Sequence, residues 1–169
     1  RRAFVAAVGL CGGCLGVGSS PSTPTPRPDA DGDGVPDSID DYPNDDRRGS
    51  WSSSSTGVTT LQSGEFKAYA LTNHEQESGD YVHYDVAVTG EGTVDCLVLD
   101  RAAYDAFVEG ARDVPVVSAY SRSDVSEVTV TEQLDRGEYI FVLDYTALQT
   151  EPRTEAVEVE YTLEVAEPL

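Results

Sequence analysis

The chain has 169 residues, and its 31 acidic side chains outnumber its 11 lysines and arginines, which gives a formal net charge of −20. This charge argues against binding to duplex nucleic acid, which depends on cationic side chains that neutralise phosphates, and against anionic membrane surfaces. The length allows one domain with a core of its own, together with terminal segments.

Residues 1–18 have the composition of an export signal. Arg1 and Arg2 begin the chain, and the apolar run that follows them up to Leu10 is too short to cross a bilayer as a helix. The paired arginines resemble the twin-arginine signal, which is read by a translocase that carries folded cargo. Because the sequence contains no Met, we expect that it belongs to a slightly longer precursor.

Two glycines precede Cys14, and a Leu-Gly pair follows it. This arrangement resembles a lipobox, and the resemblance implies that Cys14 carries a lipid anchor. Cys11 and Cys14 also have the C-x-x-C spacing of zinc or redox sites, but the chain offers few further Cys and His ligands. With its acidic excess and single lysine, the chain resembles twin-arginine lipoproteins of salt-loving archaea. That resemblance implies a lipid-anchored protein on the outer face of the cytoplasmic membrane, or a secreted one.

A Pro-, Ser- and Thr-rich run at residues 19–28, which predicts an extended spacer, leads into an Asp-rich loop at residues 29–40. The loop has carboxylates at positions 1, 3, 5, 9 and 12 and a glycine, Gly34, at position 6, a spacing that wraps oxygen ligands around one calcium ion. The predicted ligands are the carboxylates of Asp29, Asp31, Asp33, Asp37 and Asp40 and the backbone carbonyl of Val35.

The proline-rich spacer and Pro43 argue against the flanking helices of an EF-hand. The spacing D-x-D-x-D-G-x-x-D-x-x-D-x-x-P resembles a single thrombospondin type 3 repeat within residues 29–46. In that family the aspartates chelate calcium and stiffen a chain with little hydrophobic core. The alternative is a solvated acidic linker. Because the carboxylates repel one another when no cation is bound, we expect calcium to compact this segment.

The Ser-rich residues 47–56 predict a flexible joint, and residues 57–169 predict an all-β domain. The expected fold is an antiparallel β-sandwich of jelly-roll or immunoglobulin-like type, preceded by a disordered, calcium-binding N-terminal tether. The predicted strands are 58–61, 65–71, 81–89, 93–100, 114–120, 127–133, 138–145 and 156–165.

Three further expectations concern the packing of this domain. Continuous apolar runs at 96–99 and 139–143 predict central strands that are buried on both faces. Cys96 lies in one of these runs and is expected to be a small buried hydrophobe without a disulfide partner. Residues 101–109 predict a short helix that forms a lid over one end of the sandwich. Its buried face would carry Tyr104, Phe107 and Val108.

The run Leu-Asp-Arg-Gly-Glu-Tyr-Ile-Phe-Val-Leu-Asp at residues 134–144 resembles a strand of pre-peptidase C-terminal and GOLD-type sandwiches. This resemblance implies a non-catalytic accessory domain and supplies no functional residues. The catalytic ingredients are also scarce, because His74 and His83 are the only imidazoles, Lys67 is the only lysine, and no G-x-S-x-G motif occurs. A carboxylate pair of the glycosidase type is the remaining enzymatic alternative.

The sequence therefore predicts a non-enzymatic surface lipoprotein that binds calcium and whose sandwich contacts a surface protein or a carbohydrate. The alternative is a carbohydrate- or solute-binding module that serves a transporter or a secreted hydrolase. An aromatic-lined groove would favour this alternative. The tyrosines that would line it are Tyr81, Tyr84, Tyr104 and Tyr120.

Overall fold

The computed structural model describes residues 28–71, 79–150 and 155–168. Within these ranges the chain forms eight strands and one helix. The elements in chain order are β1 (Arg48–Leu61), β2 (Glu65–Leu71), β3 (Tyr81–Thr89), β4 (Val94–Asp100), α1 (Arg101–Val108), β5 (Arg122–Val125), β6 (Glu127–Gln133), β7 (Tyr139–Tyr145) and β8 (Val157–Pro168).

The strands form two four-stranded antiparallel sheets. The first sheet has the strand order β1-β8-β3-β6, and the second sheet has the order β2-β7-β4-β5. Except for β4 and β5, the strands that pair with each other are not consecutive in the chain. This strand order in the two sheets is the connectivity of a jelly roll. The expectation of an antiparallel β-sandwich is confirmed, and of its two variants the jelly roll is the one formed.

The main core lies between the two sheets and follows from the period-two pattern of the strands. In β8, Val157, Val159 and Tyr161 are buried, whereas Glu158 and Glu160 between them face solvent. β3 contributes its buried residues to the same core in the same alternating way. Cys96 of β4 is fully buried in this core, as predicted.

A second, smaller core lies on the outer face of the second sheet. Leu97 and Val142, which are paired neighbours on β4 and β7, point away from the main core and are fully buried. Helix α1 covers them with Phe107, whose ring packs edge-on against Phe66 of β2 at a centroid distance of 4.7 Å. The prediction that the central strands are buried on both faces is therefore confirmed.

The predicted helix is present, but its position and buried face differ from the prediction. It covers the outer face of the second sheet rather than one end of the sandwich. Its buried residues are Ala103 and Phe107, which lie one turn apart, whereas Val108 is 54% exposed. Asp100 begins the helix, because its side chain accepts a hydrogen bond from the Ala103 N–H at 2.8 Å.

Two predicted boundaries in the sandwich were wrong. The Ser-rich stretch 47–56 is not a flexible joint, because β1 begins at Arg48 and its backbone pairs with β8 along almost its whole length. An edge strand needs only this one ladder, so small polar side chains are sufficient. The stretch 114–120 is a loop and β5 follows it; Pro115 has no N–H for a ladder.

Candidate functional site

The Asp-rich loop brings three carboxylates together. Asp29, Asp31 and Asp33 each offer one oxygen, and these three oxygens lie within 4.8 Å of one another. Gly32 and Gly34 have φ angles of 81° and 97°, which residues with a side chain rarely adopt, so the glycines allow the chain to fold back between the aspartates. Their N–H groups donate to the Asp29 carboxylate at 2.8 and 3.1 Å.

Three of the carboxylates use one oxygen for the loop and leave the other without a partner. The first oxygens of Asp31, Asp33 and Asp40 accept backbone hydrogen bonds from residues two positions further along, at 3.3, 2.5 and 2.8 Å. Their Oδ2 atoms are buried and accept no hydrogen bond from any group in the described part of the chain. Since a buried, unpaired carboxylate oxygen is costly, this arrangement fits a cation as the missing partner.

The electrostatics of Asp31 show how close these groups lie. Its pKa is raised above the ordinary carboxyl value, first by burial and then by the negative charges of Asp33 and Asp40. The charge of Asp40 therefore acts on Asp31, although Asp40 is not one of the three residues whose oxygens lie within 4.8 Å of one another. A bound divalent cation would reverse this repulsion.

The two other predicted ligands have different roles in the described contacts. Asp37 closes the loop, because its carboxylate accepts the Ala30 N–H at 2.7 Å and its own N–H donates to the Pro28 carbonyl at 2.9 Å. It lies outside the group of three converging carboxylates. The Val35 N–H donates to Asp33, and the use of the Val35 carbonyl as a ligand stays a prediction.

The loop is attached to the first sheet of the sandwich. Tyr42 is only 7% exposed, and the guanidinium of Arg48 lies 3.9 Å above its ring. Arg48 also contacts Asp45 at 3.1 Å and Glu164 of β8 at 4.0 Å. Sequence reasoning did not identify Arg48 as an anchor, although it directly follows the acidic segment with which it pairs. The Asp-rich segment and the sandwich are therefore in direct contact.

A row of polar side chains crosses the outer face of the first sheet. His83 Nδ1 lies 2.7 Å from the Thr131 hydroxyl, and His83 Nε2 lies 3.1 Å from a carboxylate oxygen of Asp85. The Thr129 hydroxyl donates to the other oxygen of Asp85. A hydroxyl, an imidazole and a carboxylate thus lie in a row. However, β3 lies between β6 and β8, and the backbone N–H groups of β3 are used in the hydrogen-bonded ladders with these two strands. This row therefore offers no N–H pair for an oxyanion.

A shallow groove of about 570 Å³ lies beside this row on the same face. Threonines and acidic residues make up half of its lining, and the other half is Gly57, Tyr161 and apolar residues that include Val58, which is 58% exposed. Its side-chain lining includes Thr56, Val58, Asp85, Glu127, Thr129 and Glu160.

The four tyrosines do not form the predicted aromatic groove. Tyr84 and Tyr120 are buried, and the Tyr84 hydroxyl donates to the Tyr120 carbonyl at 2.8 Å. Tyr81 and Tyr104 are half-buried and lie on different elements, β3 of the first sheet and α1 over the second sheet.

Several predicted features lie outside the described residues. They are the export signal at residues 1–18 with Arg1, Arg2, Cys11 and Cys14, the spacer up to residue 27, and His74. Within the described ranges, no helix has the length and apolar character that crossing a membrane requires.

Comparisons with known proteins identify no family for this chain. No family model matches it, and no curated protein matches it. A solved structure from a study of Bacillus endospore appendages, described as forming a novel family of disulfide-linked pili, aligns with 68% of this chain and 86% of its own length. The sequence identity is 15% and the TM-score is 0.34, so this likeness supports no inference about function.

Proposed function

We propose that the loop at residues 29–40 binds one calcium ion and that the jelly roll is a non-catalytic accessory domain, held at the cell surface by a lipid on Cys14. Two observations carry the calcium assignment. Carboxylate oxygens of Asp29, Asp31 and Asp33 lie within 4.8 Å of one another. The buried Oδ2 atoms of Asp31, Asp33 and Asp40 lack a hydrogen-bond partner among the described residues. The surface location rests on the twin-arginine and lipobox resemblance alone.

The ligand chemistry favours calcium over softer metals. The loop offers carboxylate and carbonyl oxygens, whereas zinc sites are usually built from Cys and His. Calcium accepts six to eight oxygens in flexible geometry, and carboxylates of Asp29 and Asp37 together with the Val35 carbonyl would complete such a set. Magnesium demands a stricter octahedron and usually retains several waters, so a loop with this many carboxylates suits calcium better.

The calcium assignment is tested by calorimetric titration of the exported chain in about 1 M salt, where weak surface attraction is screened. The test variant is Asp31→Asn/Asp33→Asn, which removes two charges and keeps the side-chain shape. The matched control is Asp105→Asn, on the exposed side of α1. We expect the loop variant to lose a calcium equivalent that the control retains. Equal calcium binding by the unmodified chain, the loop variant and the control would overturn the assignment.

The surface location is tested separately, by mass spectrometry of the mature protein and by fractionation. We expect a lipid-modified N-terminal cysteine and a membrane fraction that Cys14→Ser transfers to the medium. An unmodified N-terminus in a protein that stays in the cytosol would contradict this part of the proposal.

A second candidate function is carbohydrate binding in the groove on the first sheet. Its support is the concave lining of hydroxyls and carboxylates, which can hydrogen-bond to a neutral polyol, and the exposed Val58 for contact with C–H groups. The test is binding to an array of neutral glycans, with Asp85→Ala/Thr129→Ala as the groove variant and Asp105→Asn as the control. If no glycan binds, this candidate falls and the calcium proposal is unaffected.

A further inference from the structure

A second acidic site lies far along the chain from the Asp-rich loop. Asp95 of β4 and Asp144 of β7 are directly opposed in the sheet register, and each is only 2% exposed. Directly opposed side chains on neighbouring strands have Cβ atoms about 4.5–5.5 Å apart. In the part of the chain that the structure describes, neither carboxylate forms an ion pair with an Arg, Lys or His. Two buried acids thus share one small space without a cationic neighbour among the described residues.

The hydrogen bonds of this pair are incomplete. The two oxygens of Asp95 accept the N–H groups of Asp124 and Thr150 at 2.7 and 2.8 Å, which fixes β5 and the 146–150 loop to β4. One oxygen of Asp144 accepts the Thr146 N–H at 3.2 Å. Its other oxygen, Oδ2, is buried and has no hydrogen-bond partner among the described residues.

Thr146 supplies an independent observation at the same place. It is 4% exposed, and its hydroxyl lies beside the Asp144 carboxyl without a hydrogen bond of good geometry to any described group. An unpaired buried hydroxyl is destabilising. A hydroxyl oxygen and two carboxylates are hard ligands that a cation of the calcium class accepts.

The electrostatics agree with a missing cation. Burial, and less strongly the charge of Asp95, raises the pKa of Asp144 above the ordinary carboxyl value, although the Thr146 hydroxyl and the N–H groups of Thr146 and Leu148 oppose this shift. Two buried carboxylates without a counter-charge are costly, and a divalent cation would neutralise both of them.

We propose that Asp95, Asp144 and Thr146 form a second divalent-cation site of the calcium class, which fastens the 146–150 loop to the second sheet. Its ligands are Asp144 Oδ2, the Thr146 hydroxyl and the Asp95 carboxylate, with backbone carbonyls or water completing the shell. This site is independent of the loop at residues 29–40.

The test is a calcium titration by calorimetry in the Asp31→Asn/Asp33→Asn background, where the first site is removed. We expect this background to bind one calcium ion, and we expect the addition of Asp144→Asn to abolish that binding. Asp105→Asn in the same background is the control and retains it. If the background binds no calcium, or if Asp144→Asn leaves binding unchanged, the proposal is overturned and a shared proton is the reason that the two acids tolerate each other.

Thr146→Val keeps the test decisive if Asp144→Asn does not fold. Valine has almost the same shape as threonine and removes only the hydroxyl, so we expect calcium to bind about tenfold more weakly. Unchanged affinity in a folded Thr146→Val protein would also overturn the proposal. If the Asp-rich loop does not bind calcium but the second site does, the titration gives a different result. The unmodified chain then binds one calcium ion, and Asp144→Asn alone abolishes that binding.

Discussion

At the scale of single residues, buried hydroxyls determine where the long loops of this jelly roll lie. The hydroxyl of Tyr84 crosses the main core to donate to the Tyr120 carbonyl at 2.8 Å, and the Tyr120 hydroxyl accepts the Asp135 N–H at 2.9 Å. Burial in the core raises the pKa of Tyr84, so it stays a neutral donor at physiological pH. One tyrosine thus holds the loop before β5, and the next holds the loop before β7.

We expect Tyr84→Phe to lower the free energy of unfolding by about 1–3 kcal/mol, because the Tyr120 carbonyl remains buried without its donor. The measurement is chemical denaturation followed by circular dichroism. Tyr104→Phe, on the half-buried face of α1, is the matched control and is expected to change stability by less than about 0.5 kcal/mol. Equal stability of the two variants would show that the hydrogen bond contributes nothing.

At the scale of elements, the strands show which features a sequence pattern identifies and which it misses. The alternation of β8 and the apolar runs of β4 and β7 are strong signals, because burial on one face or on both faces fixes the side-chain pattern. β1 carries almost no such signal in its Ser-rich half, since its stability comes from the backbone ladder with β8 rather than from its own side chains. The local composition therefore predicted a flexible joint, because the strand that pairs with this stretch, β8, is distant in the sequence.

The carboxylate cluster of the Asp-rich loop was accessible to sequence reasoning for the opposite reason. The spacing of Asp29, Asp31 and Asp33 is local, so the loop itself contains the information that brings them together. The attachment of this loop through Arg48 and Glu164, and the pairing of Asp95 with Asp144, depend on strand order. Neither of these contacts follows from any local pattern.

The strand assignment of residues 53–61 predicts alternating protection of backbone amides in hydrogen exchange. In an edge strand, every second N–H points to the partner strand and exchanges slowly, whereas its neighbours face solvent. We expect this alternation through the Ser-rich stretch as far as Leu61. Uniformly fast exchange from residue 53 to residue 56 would restore the interpretation as a flexible joint.

Helix α1 allows a comparison between two adjacent apolar residues. We expect Phe107→Ala to cost about 3–5 kcal/mol, because it removes a buried ring that packs on Phe66. Val108→Ala should change the free energy of unfolding by less than about 0.5 kcal/mol, since Val108 faces solvent. Urea denaturation of both variants measures the difference. A larger loss for Val108→Ala than for Phe107→Ala would contradict the orientation of the helix.

At the scale of the whole molecule, the acidic loop and the jelly roll form a connected structure. Tyr42 is buried, and Arg48 joins Asp45, which follows the loop in the Asp-rich segment, to Glu164 of β8. The hydrogen bond with Arg47 is the largest cause of the lowered pKa of Asp45, so this carboxylate stays charged and paired at neutral pH. Order in the loop is thereby linked to order in the first sheet.

This connection predicts that calcium stabilises the sandwich as well as the loop. A calcium concentration about 100 times the dissociation constant should raise the free energy of unfolding by about 2.7 kcal/mol if only the folded state binds the ion. Thermal unfolding with and without a chelator, at constant ionic strength, measures the effect. We expect Arg48→Ala to reduce this gain, because the loop then opens without unfolding the sheet. A melting temperature that is the same with and without calcium would contradict this linkage.

The most direct measurement of the central claim is an anomalous difference map from crystals of the exported chain grown with calcium. The account predicts a calcium peak in the loop, with the Oδ2 atoms of Asp31, Asp33 and Asp40 at about 2.3–2.6 Å from the ion. An ordered loop without a peak, in crystals where the three carboxylates point to water instead, would contradict it.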